Sequence, residues 1–196
     1  MIYLDNAATS FHKPDCVARA VVEAMQQAGN SGRGSSGEAM EASRIIFDTR
    51  CKIAQLFDVE GPECVAFTAN ATEALNTALF GILHPEREKV HAICTEMDHN
   101  SVLRPLYALE KRGMDLTILP ADGKGRISVD DLEAAIRPET KAIVCTHASN
   151  LTGNCNDIRS IGAIARKHGI LFIADAAQTA GVFPISMKKA QIDILC

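Results

Sequence analysis

Residues 141–178 read KAIVCTHASNLTGNCNDIRSIGAIARKHGILFIADAAQ. Two short apolar runs, 141–146 and 170–175, flank a stretch at 157–168 whose apolar residues fall at helical spacing. Both runs are continuously apolar, which marks strands covered on both faces; a half-wet sheet would alternate apolar and polar residues. A strand, a helix and a second strand in succession form a βαβ unit, which requires parallel strands and a crossover helix.

Working outward, the same rhythm repeats. β-rich runs at 64–68, 89–95 and 115–119 alternate with helical patterns at 72–83, 101–112 and 129–136, and Ile192–Leu195 forms a last apolar run. The expected class is α/β, a mainly parallel sheet with helices on both faces. Before it, Val17, Val21, Val22 and Met25 predict a helix over 15–28 ending at Gly29-Asn30. Beyond a glycine-rich linker at 31–37, Met40, Ile45, Ile46, Ile53, Leu56 and Phe57 predict a second helix over 38–57. The expected organisation is therefore an N-terminal helical segment, 1–60, and a sheet-bearing core, 61–196.

The chain has 196 residues, 47% of them hydrophobic, enough to bury one core. A formal charge of −4 with scattered Lys and Arg provides no cationic field for nucleic acid. No apolar run approaches the length of a membrane span, and the first residues show no basic-then-apolar leader, so a soluble cytoplasmic protein is expected. Seven cysteines, an odd number without a CxxC pair, read as reduced thiols.

In parallel sheets ligands bind outside the carboxyl ends of the strands. Four such segments carry polar chemistry. Thr68-Ala-Asn-Ala-Thr-Glu73 opens a helix, so its free N–H groups and the helix dipole could hold a phosphate, although an ordinary N-cap by Asn70 or Thr72 explains it as well. His99, in Glu96-Met-Asp-His-Asn100, could lie against a flat ring or be mere polar surface. His147-Ala-Ser-Asn-Leu-Thr-Gly153 offers the Asn150 amide, or only a turn. Asp175, in Asp175-Ala-Ala-Gln178, ends an apolar strand where a buried acid is costly unless it meets a cation. Together they suit one ligand with a phosphate, a flat ring, a phenolic oxygen and a basic ring nitrogen. Pyridoxal 5'-phosphate (PLP) has all four.

DNAAT (5–9), ANATEALN (69–76), EMDHNSV (96–102), HASNLTG (147–153) and DAAQTAG (175–181) resemble, in order and spacing, the successive motifs of the class V aminotransferases, fold-type I PLP enzymes. Within that class the set is most similar to cysteine desulfurases and selenocysteine lyases. The resemblance implies Ala71 and Thr72 at the cofactor phosphate, His99 stacked on the ring, Asn150 near the phenolate and substrate, Asp175 on the ring nitrogen and Gln178 on the phenolate. It implies an amino acid substrate, cysteine or selenocysteine, a homodimer, a sulfur-acceptor protein, and release of sulfur as enzyme persulfide with alanine. It also places the cofactor-anchoring lysine, the substrate-binding arginine, the nucleophilic cysteine and the small C-terminal domain beyond Cys196. On that reading the present chain is truncated and inactive alone, with an uncovered sheet edge that favours association; a degenerate homologue serving as an interaction module is the alternative.

Lys188 and Lys189 read as a solvated turn rather than as the anchor, and Cys196 as a small buried hydrophobe. Gly32-Arg-Gly-Ser-Ser-Gly37 fits GxGxxG, but it follows a helix instead of a strand and reads as a linker; the resemblance puts Arg33 near the active-site entrance. Cys145 and His147, with Cys94, His99 and Cys155, are the residues a metal module would use, without tetrahedral spacing.

Overall fold

A computed structural model describes residues 2–31 and 36–196. The GxGxxG run and Arg33 fall largely outside the described residues. The chain divides into two compact units, one running to Ala66 and one from Phe67 to Cys196.

The first unit contains two helices. α1, Asp15–Gln27, starts after Pro14, whose ring fixes the entry angle, and it carries Asp15 at the positive end of its dipole. α2, Gly37–Phe57, is capped by the Ser36 hydroxyl, which accepts from the Ala39 N–H at 3.3 Å, and it stops where Asp58 turns left-handed at φ 56°. A single 3-10 turn follows at Pro62–Cys64. The expected strand at 64–68 is not one. Val65 is extended (φ −104°, ψ 118°), but the segment joins no ladder among the described residues. An apolar β-branched run specifies an extended backbone; it cannot supply the neighbour that makes a strand.

The second unit is a parallel sheet of five strands: β1 (His91–Thr95), β2 (Asp115–Leu119), β3 (Thr140–Thr146), β4 (Leu171–Asp175) and β5 (Ile194–Leu195), in the order β2-β1-β3-β4-β5. The helices are α3 (Ala71–Ile82), α4 (Asn100–Glu110), α5 (Val129–Ala134), α6 (Ile158–His168) and α7 (Met187–Ala190). Because β1 connects outward to β2 while all later connections run the other way, right-handed crossovers put α4 on one face and α5, α6 and α7 on the other.

Burial agrees with that assignment. Leu75 and Leu79 of α3, and Val102, Leu106 and Leu109 of α4, form one core with Ala92, Cys94, Ala142, Val144 and Ile173, the alternate residues of β1, β3 and β4. The intervening Ile93, Ile143 and Phe172 point to the opposite face and are fully buried, as are Leu132 of α5 and, nearly so, Ile161 and Ala165 of α6. There α6 and α7 approach so closely that a Cβ added to Gly162 would run into the Ala190 carbonyl oxygen. Both faces of the sheet are covered, as the continuously apolar strands required. Among the described residues no helix is long and apolar enough to cross a membrane.

Candidate functional site at the carboxyl end of the sheet

β1 pairs with β2 to its last residue, Thr95↔Leu119, and β3 pairs with β4 to its last, Thr146↔Asp175. Between β1 and β3 the register runs only to Ile93↔Ile143. The sheet therefore splits between β1 and β3 at their carboxyl ends, where the strand order reverses and a crevice opens.

α3 begins beside this crevice. Asn70 is its cap: Oδ1 accepts from the Glu73 N–H at 2.9 Å, and Glu73 Oε2 accepts from the Ala69 N–H at 2.7 Å. The first two helical N–H groups, those of Ala71 and Thr72, have no intrahelical acceptor and point out along the dipole. Thr72 is not a cap. Its hydroxyl lies 2.8 Å from Ser101 Oγ, which in turn lies 2.8 Å from His99 Nδ1. His99 is itself the cap of α4, Nδ1 accepting from the Ser101 N–H at 3.2 Å. Accepting there leaves Nδ1 without a proton, so the neutral ring carries its hydrogen on Nε2. The helix start and the imidazole, both exposed, are thus joined through one serine.

Asp175 ends β4 and is 5% exposed. Its Oδ1 accepts from the Ala177 N–H at 2.9 Å. Burial pushes its pKa up, and the Ala177 hydrogen bond and, when protonated, the nearby His99 imidazole pull it partly back. No lysine or arginine pairs with it among the described residues. A buried carboxylate without a counter-cation is costly, and a cationic ring N–H would offset that cost. The donor set therefore fits PLP: helix amides for a phosphate, an imidazole for a ring and a buried carboxylate for a protonated nitrogen.

The 147–153 loop is held by Ser149 N–H to the Asn154 carbonyl (3.0 Å) and Gly153 N–H to the Ser149 carbonyl (2.9 Å), with Gly153 left-handed at φ 72°. This leaves Asn150 exposed at the loop tip. His147 Nδ1 lies 2.9 Å from Thr179 Oγ1, tying this loop to the turn that carries the half-buried Gln178.

Two residues of the site escaped the motif reading. Ser101 reaches Thr72 across 29 positions and joins it to His99, and buried Asp98 accepts hydrogen bonds from both β1 and β3. A carboxylate directly preceding a candidate imidazole was the available signal. Lys188 and Lys189 are exposed as expected, but on the short helix α7 rather than in a turn, and burial raises the Cys196 thiol to about 11, which keeps it a neutral filler. Among the described residues no group of three His, Cys, Asp or Glu could hold a metal.

Comparison with known proteins agrees with this geometry. The family model for class-V aminotransferases matches residues 2–196. A cysteine desulfurase IscS from Vibrio atlanticus is 34% identical over 99% of this chain and 48% of its own length. A mitochondrial cysteine desulfurase from Eremothecium gossypii is 33% identical over 99% of this chain and 40% of its own. Among solved structures, the apo cysteine desulfurase from Thermococcus onnurineus superposes with a TM-score of 0.91 at 30% identity, covering 99% of this chain and 48% of that one. A structure described as SspA in complex with cysteine gives 0.89 at 32%, covering 98% and 55%. The chain spans about half the length of the curated relatives it matches. The matching motifs, their order on the sheet and the match across both units lead to one conclusion: the chain belongs to the class-V aminotransferase family, with the fold-type I architecture of the PLP-dependent cysteine desulfurases.

Proposed function

We propose that this chain carries the cofactor-holding portion of a PLP-dependent cysteine desulfurase. The observation that carries the reading is the buried Asp175, without a lysine or arginine partner among the described residues, near an imidazole that Ser101 links to a helix start. The Ala71 and Thr72 N–H groups bind the phosphate, with the Thr72 hydroxyl held toward Ser101. His99 lies on the ring face with Nε2 free to move a proton. Asp175 holds a proton on the ring nitrogen, and Gln178 and Asn150 donate to the phenolate. PLP so protonated supplies an electron sink for bonds at the amino acid Cα.

The substrate we propose is L-cysteine, in line with the cysteine bound in the SspA structure, and the products are alanine and sulfur passed to a cysteine thiol and then to an acceptor protein. Selenocysteine is the second candidate. We propose a homodimer, since α1 buries none of its residues in this chain, and a cytoplasmic location, which suits seven free thiols.

Titration with PLP, followed by absorbance of the bound cofactor, tests the site; saturable binding that Asp175→Ala abolishes is the expected result. Alanine release from cysteine is not expected of these 196 residues alone, which cover about half the length of the desulfurases they match. Release by the 196-residue chain above a PLP-only blank would overturn that part of the reading.

A further inference from the structure

Asp98 is 6% exposed and belongs to none of the roles above. Its Oδ2 accepts from the Thr95 N–H at 2.7 Å and from the Thr95 hydroxyl at 2.8 Å, and its Oδ1 accepts from the Thr146 N–H at 2.6 Å. Thr95 Oγ1 also accepts from the Met97 N–H at 3.2 Å, which leaves the hydroxyl proton for the carboxylate. Thr95 ends β1 and Thr146 ends β3, the two strands whose own ladder stops at Ile93↔Ile143. One carboxylate thus bridges the split where backbone pairing has ended. Its position couples two site residues: His99 follows it directly in the chain, and Thr146 is the register partner of Asp175.

The geometry assigns Asp98 as a positioning residue that sets the spacing between His99 and Asp175 by bridging the carboxyl ends of β1 and β3. This rests on the proposed cofactor site, because the spacing matters to a ligand that meets the imidazole with its ring face and the carboxylate with its ring nitrogen. All three partners of Asp98 are donors, so an isosteric amide cannot replace it: Asn would keep one acceptor and turn an NH2 toward an N–H.

The experiment uses the full chain and pyridoxamine 5'-phosphate, which has the ring and phosphate without an aldehyde and so needs no covalent anchor. Binding is followed by fluorescence, and the His99 imidazole resonances by NMR without ligand. Asp98→Asn is expected to shift the His99 resonances, speed exchange of the Thr146 amide and weaken binding about tenfold, the equivalent of about 1.4 kcal/mol. Thr95→Val removes the hydroxyl donor, and with it the acceptor of the Met97 N–H; it gives the same changes at smaller amplitude and carries the test if Asp98→Asn does not fold. Unmoved His99 resonances in a folded variant, or unchanged affinity despite a freed Thr146 amide, would overturn the assignment. Failure of the unsubstituted chain to bind the probe would count against the cofactor reading instead, and the His99 resonances would still decide the role of Asp98.

Discussion

The two ends of the sheet treat buried ionisable groups in opposite ways. At the amino end His91 is fully buried between two hydroxyls, Nδ1 2.8 Å from Thr140 Oγ1 and Nε2 2.9 Å from Thr117 Oγ1. Exposed ion pairs surround it: Lys89–Glu139, Lys141–Glu88 and Arg137–Asp115. At the carboxyl end two carboxyl groups, Asp98 and Asp175, are buried without a lysine or arginine partner among the described residues. One end has both ring nitrogens satisfied and its charges in water. The other buries two carboxyl groups at the point where the strands separate, which makes their charged forms costly and favours a cationic ligand.

Substitutions at the two ends should therefore separate stability from binding. His91→Ala removes a buried ring and one partner from each threonine hydroxyl, and should cost about 3 kcal/mol or more in urea denaturation while leaving pyridoxamine phosphate affinity unchanged. A loss of affinity as large as the loss of stability would erase the distinction. Asp175→Asn should do the reverse, weakening the ligand by about ten- to a hundredfold, or about 1.4–2.7 kcal/mol. Calorimetry of the ligand-free variant should show stability held or raised, because a desolvated charge is gone.

The ends should also respond oppositely to pH, by at most about 1.4 kcal/mol per pH unit for each group. Burial, and secondarily the Arg137 charge, hold His91 below its ordinary pKa of 6.5. Its folded form binds fewer protons than the unfolded chain, so this contribution is present above about pH 6.5 and is lost as pH falls below it. Burial raises Asp98 from 3.8 to about 7 against the pull of the Thr95 and Thr146 donors. That contribution is complete below 3.8 and is lost as pH rises toward about 7. Melting curves across this range should lose the acid-side decline in a His91 variant and the rise-dependent loss in Asp98→Asn. The smallest effect should come from Lys141→Ala, at most about 0.5 kcal/mol and vanishing in high salt, because its pair is exposed.

Much of the architecture was legible from local pattern. β1 to β4 lie within two residues of the apolar runs that predicted them, and helices α1 to α4 and α6 follow their spacing closely. Two elements were not legible. The 64–68 run joins no sheet among the described residues, and α7, four residues capped by the Ser186 hydroxyl, is too short to show a period. In the site, the motif positions marked His99, Asn150, Asp175, Gln178 and the α3 start as polar groups at strand ends. They carried no sign that Thr72 would reach Ser101 instead of capping its own helix, which Asn70 does.

The sequence by itself determined the kinds of element, their parallel arrangement and the presence of polar chemistry at one end of the sheet, because periodicity and burial are properties of neighbouring residues. Only the tertiary structure decided that β1 and β3 lie side by side and part beyond Ile93 and Ile143. That adjacency brings Asp98 onto Thr146, 48 positions away, and the packing of α3 on α4 brings Thr72 onto Ser101. Such bonds depend on strand order, which is set by the packing of whole layers and leaves no local trace in the chain.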